Sequence, residues 1–209
     1  MPTTNVNLTD EQDAFVERMV KSGKYQNASE AMRDAVRGLQ QRWKEDLKLK
    51  ALRKLVGEGA SALERSQFED IDDAGLDTHL DRLAGPAARC GMARYRLSGP
   101  ATADIAEILR SSEDRHGKDA RLRYLGPLSA ALRRIASDPQ GRSTSDRGEL
   151  LAGLRSFHVR HVRNESLEAP VGAPVQLIFN RAVETGVIEI VRVLHERMEP
   201  SGPGDVDRE

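Results

Sequence analysis

The chain has 209 residues, enough for one medium domain or two small ones, and its 32 Lys and Arg nearly balance its 33 Asp and Glu. This balance gives no whole-chain signature of a nucleic-acid-binding protein. The single cysteine, Cys90, excludes an intrachain disulfide, and neither an N-terminal signal nor a long apolar run is visible. We therefore expect a cytoplasmic protein with no membrane partner.

The charge is distributed unevenly along the chain. Residues 1–56 carry 11 Lys/Arg against 8 Asp/Glu, residues 57–91 carry 3 against 8, and residues 92–198 carry 17 against 13. An acidic middle segment therefore lies between two basic ends, which favours contact between the middle and the C-terminal part.

The first predicted element is a short strand near the N terminus. Its side chains alternate between two faces, with Thr4, Val6 and Leu8 on one and Thr3, Asn5 and Asn7 on the other. Because so short a strand is unstable alone, its economical partner is the same strand of a second copy, in an antiparallel ribbon. Such a ribbon fits the DNA major groove and Asn suits the adenine edge, so Asn5 and Asn7 are the predicted base readers.

Two amphipathic helices follow the strand. Thr9-Asp10-Glu11-Gln12 fits a capping box for the first helix, which Gly23 ends. Asn27-Ala28-Ser29-Glu30 fits a second capping box, and the amino end of that helix would hold a DNA phosphate. The predicted DNA-contacting residues are Thr3, Asn5, Asn7, Asn27 and Ser29. The predicted dimer core consists of Val6, Leu8, Phe15, Met32, Val36 and Leu39.

These N-terminal elements allow two interpretations. Taken one at a time, they describe any small helical pair with a frayed leading strand. Taken in order, residues 2–42, and above all the stretch GKYQNASEAMRDAVRGL, resemble the ribbon-helix-helix domain of ParD-type antitoxins. The resemblance implies a homodimeric repressor whose paired strands enter the major groove of a palindromic operator.

Residues 43–85 contain intermittent apolar side chains among many charged ones. We expect Gly57, Gly59, Gly75 and Gly85 to interrupt the helix, so the segment should fold along a partner surface, as an antitoxin tail does. The alternative is a charged linker with a loose helix. The residues predicted to contact the partner surface are Trp43, Leu47, Leu52, Leu55, Leu63, Phe68, Ile71, Leu76 and Leu80.

A linker at residues 86–91, rich in small residues, precedes a second domain, residues 92–200, with the predicted order β-α-α-β-β-β. Two helices packed on one face of an antiparallel sheet would give the whole chain an α+β fold. The expected elements are a strand ending at Ser98, helices ending near Gly117 and before Pro139 with a kink at Gly126-Pro127, and strands at residues 154–162, 175–182 and 187–194.

This second domain resembles ParE toxins of the RelE/ParE superfamily. The resemblance is strongest at Gly153-Leu154-Arg155-Ser156-Phe157 and residues 191–200, and it departs from the family at the proline in the helix and in an extra loop, residues 163–174. It implies an inhibitor of DNA gyrase that acts by binding, with no catalytic residue, metal or cofactor. The predicted functional surface consists of Arg155, Arg181, Arg192, His195 and Arg197.

Two alternatives remain open for this domain. RelE-like members resemble ribosome-dependent mRNA endonucleases, in which arginines would bind phosphate and His195 would transfer a proton. The terminal tyrosine typical of those nucleases is missing after His195. A decayed toxin domain would instead leave a transcriptional repressor alone. The pair His158 and His161 predicts no metal site, because on a strand their rings would face opposite sides.

Taken together, the two resemblances predict a fused type II toxin-antitoxin protein. Residues 1–42 would dimerise, or form a higher oligomer, and repress an operator, while residues 43–85 would cover the toxin. A cellular protease acting on residues 43–91 would release the toxin. The acidic, Gly/Pro-rich residues 201–209 are predicted to be disordered.

Overall fold

The computed structural model describes residues 6–84, 94–163, 174–184 and 186–199, which fall into two compact units, one up to residue 47 and one from residue 48. The helices are α1 (Asp10–Lys21), α2 (Ala28–Glu64), α3 (Asp73–Ala84), α4 (Gly99–His116) and α5 (Lys118–Ser137). The strands are β1 (Phe68–Asp72), β2 (Arg94–Ser98), β3 (Thr144–Asp146), β4 (Arg155–His158), β5 (Gln176–Glu184) and β6 (Val187–His195). Within these described ranges, no helix is both long and apolar enough to cross a membrane.

The capping box predicted for α1 is confirmed. The backbone N–H of Gln12 donates to Thr9 Oγ1 at 3.4 Å, and the backbone N–H of Thr9 donates to Gln12 Oε1 at 3.0 Å. Beyond the helix, Gly23 adopts a φ of +78°, which glycine tolerates without a Cβ clash. Reciprocal hydrogen bonds therefore define where α1 begins, and a left-handed glycine follows its end.

The second capping site differs slightly from the prediction. Asn27 Oδ1 accepts the backbone N–H of Glu30 at 2.9 Å, as expected, but the Glu30 carboxylate accepts the N–H of Gln26 at 2.7 Å. The side chain of Glu30 thus reaches one residue further back than a capping box requires. Residues 6–8 form no strand in the structure, which is of a single chain without a second copy for them to pair with. Thr3 and Asn5 lie outside the described residues.

The six strands form one mixed sheet in the order β1-β2-β6-β5-β4-β3. Strands β2 and β6 are parallel, whereas the other neighbouring pairs are antiparallel. The α+β class is confirmed, but a wholly antiparallel sheet is not observed, because the chain crosses over from β2 through α4 and α5 before β6 is added. The antiparallel edge strand β1 comes from the acidic middle segment rather than from the predicted second domain.

Apolar clusters lie on both faces of the sheet. On one face, α3, α4 and α5 pack around Tyr95, Ile105 and Leu132. On the other face, α2 packs over Leu177, Phe179 and Val191. The sheet is therefore buried between two helical layers, and the second layer is supplied by residues N-terminal to the predicted second domain.

The glycines of the middle segment do not interrupt its helix. Gly57 and Gly59 lie inside α2, and Gly75 lies in the first turn of α3, where its N–H donates to Asp72 Oδ1 at 2.6 Å. A helical glycine costs about 1 kcal/mol relative to alanine, which the packing of an apolar helix face readily exceeds. Gly85 lies outside the described residues.

Helix α5 continues through Pro127 to Ser137, in agreement with the predicted end before Pro139, and the kink at Gly126-Pro127 stays a prediction. The C-terminal elements depart from the prediction in two places. The strand expected at residues 154–162 stops at His158, where a 3₁₀ helix, Val159–Val162, begins. The short β3 was not predicted because its three residues are all polar. Of the expected extra loop, residues 164–173 lie outside the described residues.

Candidate functional site

The candidate site is the contact between residues 48–84, named here the cover segment, and the C-terminal domain, residues 94–199. Helix α2 lies across one face of the domain's sheet, with Leu52 and Val56 fully buried. Leu55 is partly buried at the margin of the same contact. The remaining side chains of this apolar cluster are Ala60 and Leu63 from α2 and Leu154, Leu177, Phe179, Val191 and Leu194 from the domain.

Strand β1 extends the sheet at the edge of the domain. All five of its residues pair with β2, from Phe68 opposite Ser98 to Asp72 opposite Arg94. An uncovered edge strand presents free N–H and C=O groups that attract other strands, and β1 occupies those groups on β2. Phe68 also packs against the apolar cluster under α2 and lies 5.2 Å from the guanidinium of Arg96.

The third contact of the cover segment is made by α3. Leu76 and Leu80 on α3, together with Ile71 on β1, are buried in the same cluster as the helices of the C-terminal domain. Asp77 on α3 pairs with Arg133 on α5 at 2.5 Å. The segment therefore touches the domain on its open sheet face, on its sheet edge and beside its helical pair.

Charge complementarity reinforces these contacts. Asp70 on β1 accepts a hydrogen bond from Arg94 at 2.6 Å and lies 4.0 Å from Arg96. Arg53 on α2 donates from Nη2 to the backbone carbonyl of Glu149 at 3.2 Å. Asp70 and Asp77 of the cover segment thus meet arginines of the domain, in agreement with the uneven charge of the sequence, whereas Arg53 adds a hydrogen bond to the backbone.

Arg192 is the most enclosed of the arginines expected on the functional surface, with 8 % of its area exposed. Its Nε and Nη2 donate to the two carboxylate oxygens of Asp104 at 2.7 and 2.8 Å. Its Nη1 donates to the backbone carbonyl of Leu55 at 3.1 Å, and Glu58 lies 3.6 Å away. Arg192 is therefore covered by α2 in the fused chain rather than open to solvent.

Two other predicted surface arginines also have partners within the domain. Arg155 donates from Nε to Thr144 Oγ1 at 2.7 Å and from Nη2 to the Thr144 carbonyl at 3.0 Å. Arg181 donates to Glu189 at 2.5 Å, and the two residues face each other across β5 and β6. Both arginines therefore fasten neighbouring strands.

His195 and Arg197 lie at the end of β6. His195 Nδ1 accepts the backbone N–H of Arg197 at 3.1 Å, and Arg197 itself is exposed. His195 lines a cavity of about 290 Å³ with Tyr124 and Gln176, whose side chains are hydrogen-bonded to each other. Among the described residues, Arg155, Arg181, Arg192 and His195 each have a local partner, so the five predicted surface residues do not form a shared cluster of free basic groups there.

The His158 and His161 rings are closer than a strand would place them. The strand ends at His158, and the 3₁₀ turn brings the ring centroids within 6.3 Å. His158 Nε2 lies 2.7 Å from the Glu196 carboxylate, yet burial lowers the pKa of His158 below its usual value. Among the described residues, no group of three His, Cys, Asp or Glu is arranged for a metal ion.

The first unit carries an open apolar groove between α1 and the start of α2. The groove measures about 600 Å³ and is lined by Leu8, Phe15, Met19 and Met32, among others. Phe15 is 52 % exposed in the single chain, an unusual state for a large apolar side chain. The other exposed members of the predicted dimer core are Val6, Val36 and Leu39.

The predicted DNA-contacting residues that the structure describes lie on the surface. Asn7 and Ser29 are exposed, and Asn27 is exposed at the start of α2 with its side chain engaged in capping.

Two residues that were expected to contact the partner surface, Trp43 and Leu47, are exposed at 62 % and 49 %. The other apolar residues of that set are buried or partly buried, so Trp43 and Leu47 differ from them.

Sequence reasoning missed three residues of the contact. Asp104 gave no signal because its partner Arg192 is far away in the sequence. Gly59 was interpreted as a helix breaker, although the structure places it directly over β6. Asp70 was counted only in the net charge, and its facing partner Arg96 could be recognised only from strand pairing.

Comparisons with known proteins give each half a relative. Residues 2–89 match the model of a bacterial antitoxin of the ParD type II toxin-antitoxin system with a ribbon-helix-helix fold, and residues 95–200 match the model of the ParE toxin of the parDE type II system. Toxin ParE1 of Mycobacterium tuberculosis is 34% identical over 115 residues, which cover 55% of this chain and 95% of the relative.

Antitoxin ParD of Escherichia coli O157:H7 is 43% identical over 63 residues, which cover 30% of this chain and 75% of the relative. The two matched regions follow one another in the chain and are separated by residues 90–94. The chain therefore belongs to the ParD antitoxin family through its N-terminal part and to the ParE toxin family through its C-terminal domain, and it is a fused type II toxin-antitoxin protein.

Proposed function

We propose that the cover segment holds the ParE-like domain inactive in the full chain, and that the freed domain inhibits DNA gyrase by binding it. The observation that carries the proposal is the threefold contact, in which α2 covers a sheet face, β1 a sheet edge and α3 the side of the helical pair. A target that needs the sheet face or the β2 edge must compete with this segment.

Tethering favours the inactive state. The segment is part of the same chain as its binding surface, so its effective concentration is high and dissociation alone does not release the domain. Proteolysis within residues 43–91 would remove this advantage, because a cut fragment dilutes into the cell. We therefore assign activation to a cellular protease that acts on this stretch.

The geometry favours a binding toxin over an mRNA endonuclease. Arg192 is held by Asp104, Arg181 by Glu189 and His195 by the backbone of Arg197. A nuclease needs basic groups that converge on a scissile phosphate and a proton-transfer group within reach. Arginines already committed to contacts within the sheet and with Asp104 support structural roles and a target bound through surface shape.

The N-terminal unit supplies dimerisation and DNA binding in the proposal. Its open groove, which Phe15 lines, and the exposed Val36 and Leu39 supply the surface that a second copy would cover. Pairing of the N-terminal strands would place Asn5 and Asn7 in the major groove, and the start of α2, at Asn27 and Ser29, beside a phosphate. The dimer would repress its own operator.

The experiment that tests the proposal is bacterial growth on induction of three proteins. Residues 92–209 alone should stop growth, the full chain should not, and residues 1–91 expressed from a second plasmid should restore growth. The matched control is residues 1–91 with Leu52→Asp, which buries a charge in the contact and should fail to restore growth. Normal growth with residues 92–209 alone, at confirmed expression, would instead indicate a repressor with a decayed toxin domain.

The target is tested with the purified fragment. Loss of gyrase supercoiling with mRNA left intact is the expected result. Ribosome-dependent mRNA cleavage that is abolished by His195→Ala or Arg181→Ala would contradict the gyrase proposal and establish the endonuclease alternative. Supercoiling and mRNA integrity are measured on the same preparation, so one preparation decides between them.

A further inference from the structure

Strand β6 carries a bulge at the point where α2 crosses it. Phe179 on β5 faces Arg192, whereas the next residue, Asn180, faces Ile190, so Val191 has no opposite partner. The carbonyl of Val191 accepts the hydroxyl of Ser98 at 2.8 Å. This hydroxyl is itself fixed, because it also caps α4. The Val191 carbonyl therefore points out of the strand ladder in a rigid position.

Gly59 lies directly over this carbonyl. A Cβ atom at residue 59 would lie 2.1 Å from the Val191 oxygen and 3.0 Å from its carbonyl carbon. Real Cβ atoms do not approach a backbone oxygen so closely, and neither backbone can yield without breaking the bulge or the helix. The same Cβ atom would also lie 3.0 Å from Arg192 Cδ, so a side chain at residue 59 would be blocked on a second side.

The position of α2 along the strand is fixed by the same residues. Arg192 Nη1 donates to the Leu55 carbonyl at 3.1 Å, one helical turn before Gly59. Asp104 holds the guanidinium in place from below. The C-terminal domain thus contacts α2 at two points one helical turn apart. Arg192 donates to the carbonyl of Leu55, and the Val191 oxygen leaves room only for a glycine at residue 59.

From this geometry we infer that the Val191 bulge and Arg192 select the helix that the C-terminal domain accepts, and that Gly59 is the residue of the cover segment on which this selection depends. The accepted partner is an amphipathic helix with glycine over the bulge, four residues after the carbonyl that Arg192 binds. That this selection keeps a toxic domain inactive rests on the proposed function. The selection of α2 by the Val191 bulge and Arg192 does not rest on it. Gly59 is a positioning residue and takes no part in toxin chemistry.

Gly57 provides the matched control within the same helix. A Cβ added at Gly57 meets nothing within 4 Å. Alanine therefore improves helix propensity equally at both positions but meets the bulge only at residue 59. The difference between the two variants isolates the close contact from the general effect of replacing a helical glycine.

The experiment compares the full-length wild type, Gly57→Ala and Gly59→Ala by amide hydrogen exchange and by growth. In Gly59→Ala, exchange at residues 52–63 should accelerate by about tenfold or more, while β4 and β5 remain protected, because opening is local. Gly57→Ala should exchange as slowly as the wild type. Equal exchange in the two variants would overturn the inference, and so would loss of protection throughout the chain of Gly59→Ala.

Growth separates this inference from the proposed function. If Gly59→Ala accelerates exchange and slows growth, selection at the bulge and restraint of a toxic domain are both supported. If exchange accelerates and growth stays normal, the selection stands and the proposed restraint of a toxic domain fails. Slow growth without faster exchange at residues 52–63 would contradict the role of Gly59.

Discussion

Asp104 on α4 holds Arg192 on β6 by two parallel hydrogen bonds of 2.7 and 2.8 Å, and this pairing leaves the third guanidinium nitrogen directed at the cover segment. A carboxylate that accepts two parallel hydrogen bonds fixes the plane of a guanidinium. A lysine in place of Arg192 has no such plane and could not direct a third donor in the same way. The contact between the two halves of the chain thus depends on a side chain that touches only one of them.

Removing that carboxylate should destabilise the chain. We expect Asp104→Ala to lower the free energy of unfolding by about 3 kcal/mol, because the buried Arg192 loses both of its hydrogen bonds to a carboxylate and keeps Glu58 at 3.6 Å. Glu107→Ala is the control, since Glu107 on the same helix forms an exposed pair with Arg110 and should cost less than about 1 kcal/mol. Chemical denaturation of the full chain measures both, and equal losses would refute a special role for Asp104.

The cost of truncating an apolar side chain of α2 should depend strongly on how deeply that side chain is buried. Leu52→Ala removes a fully buried side chain and should lower the free energy of unfolding by about 2 to 5 kcal/mol. Leu47→Ala, in the same helix but at a side chain that is 49 % exposed, should change it by less than about 0.5 kcal/mol. Thermal or urea unfolding of the two variants tests this, and a large cost at Leu47 would reveal that a partner covers it.

Stability should fall as the solution is acidified through the histidine range. Burial lowers the folded-state pKa of His158 below the ordinary value of 6.5, although the nearby Glu196 opposes this shift, and the pKa of His161 is lowered as well. The folded chain therefore favours neutral rings. This stability is present above about pH 6.5 and is lost as pH falls through the lowered folded-state pKa.

A series of melting temperatures tests this dependence. They are measured from pH 8 down to a pH well below the usual histidine pKa. His158→Gln should reduce the acid-side decline without abolishing it, because His161 contributes in the same direction. His116→Gln, at the exposed end of α4, serves as the control and should retain the decline. A profile that is unchanged by His158→Gln would exclude this histidine as a source of acid sensitivity.

The open groove of the first unit should be closed by a second copy. Leu8→Asp places a charge in the groove and should convert the dimer to monomer, as read from sedimentation equilibrium. Val183→Asp, at an exposed apolar residue of the C-terminal domain, should leave the dimer intact. A Leu8→Asp chain that sediments as a dimer would move the interface elsewhere.

Sequence-specific DNA binding should depend on the exposed Asn7. Asn7→Ala is expected to weaken binding to DNA upstream of the chain's own gene by about 1 to 3 kcal/mol, and to spare binding to unrelated DNA. Affinity for either DNA should fall steeply with salt, because phosphate contacts release counterions. Titrations at several salt concentrations measure both effects, and equal weakening on the two DNAs would indicate that Asn7 contacts phosphate rather than a base.

The sequence alone determined the local features of this protein. The Thr9 and Gln12 pair marked the start of α1, the order of helices and strands predicted the α+β class, and short stretches such as GKYQNASEAMRDAVRGL carried the two family resemblances. Such signals are readable because their hydrogen bonds join residues three or four apart, or because apolar residues repeat with the period of one element. The acidic character of the middle segment likewise indicated that it would contact the basic C-terminal part.

Only the tertiary structure decided how that segment is held. It made residues 68–72 an edge strand, kept Gly57 and Gly59 inside a helix and buried Arg192 between Asp104 and Leu55. The partners of Arg192 lie 88 and 137 residues away in the sequence, so no local pattern records them. The free energy of these contacts comes from burial and from backbone groups brought together by folding, which is why a glycine that resembled a helix breaker became a contact residue.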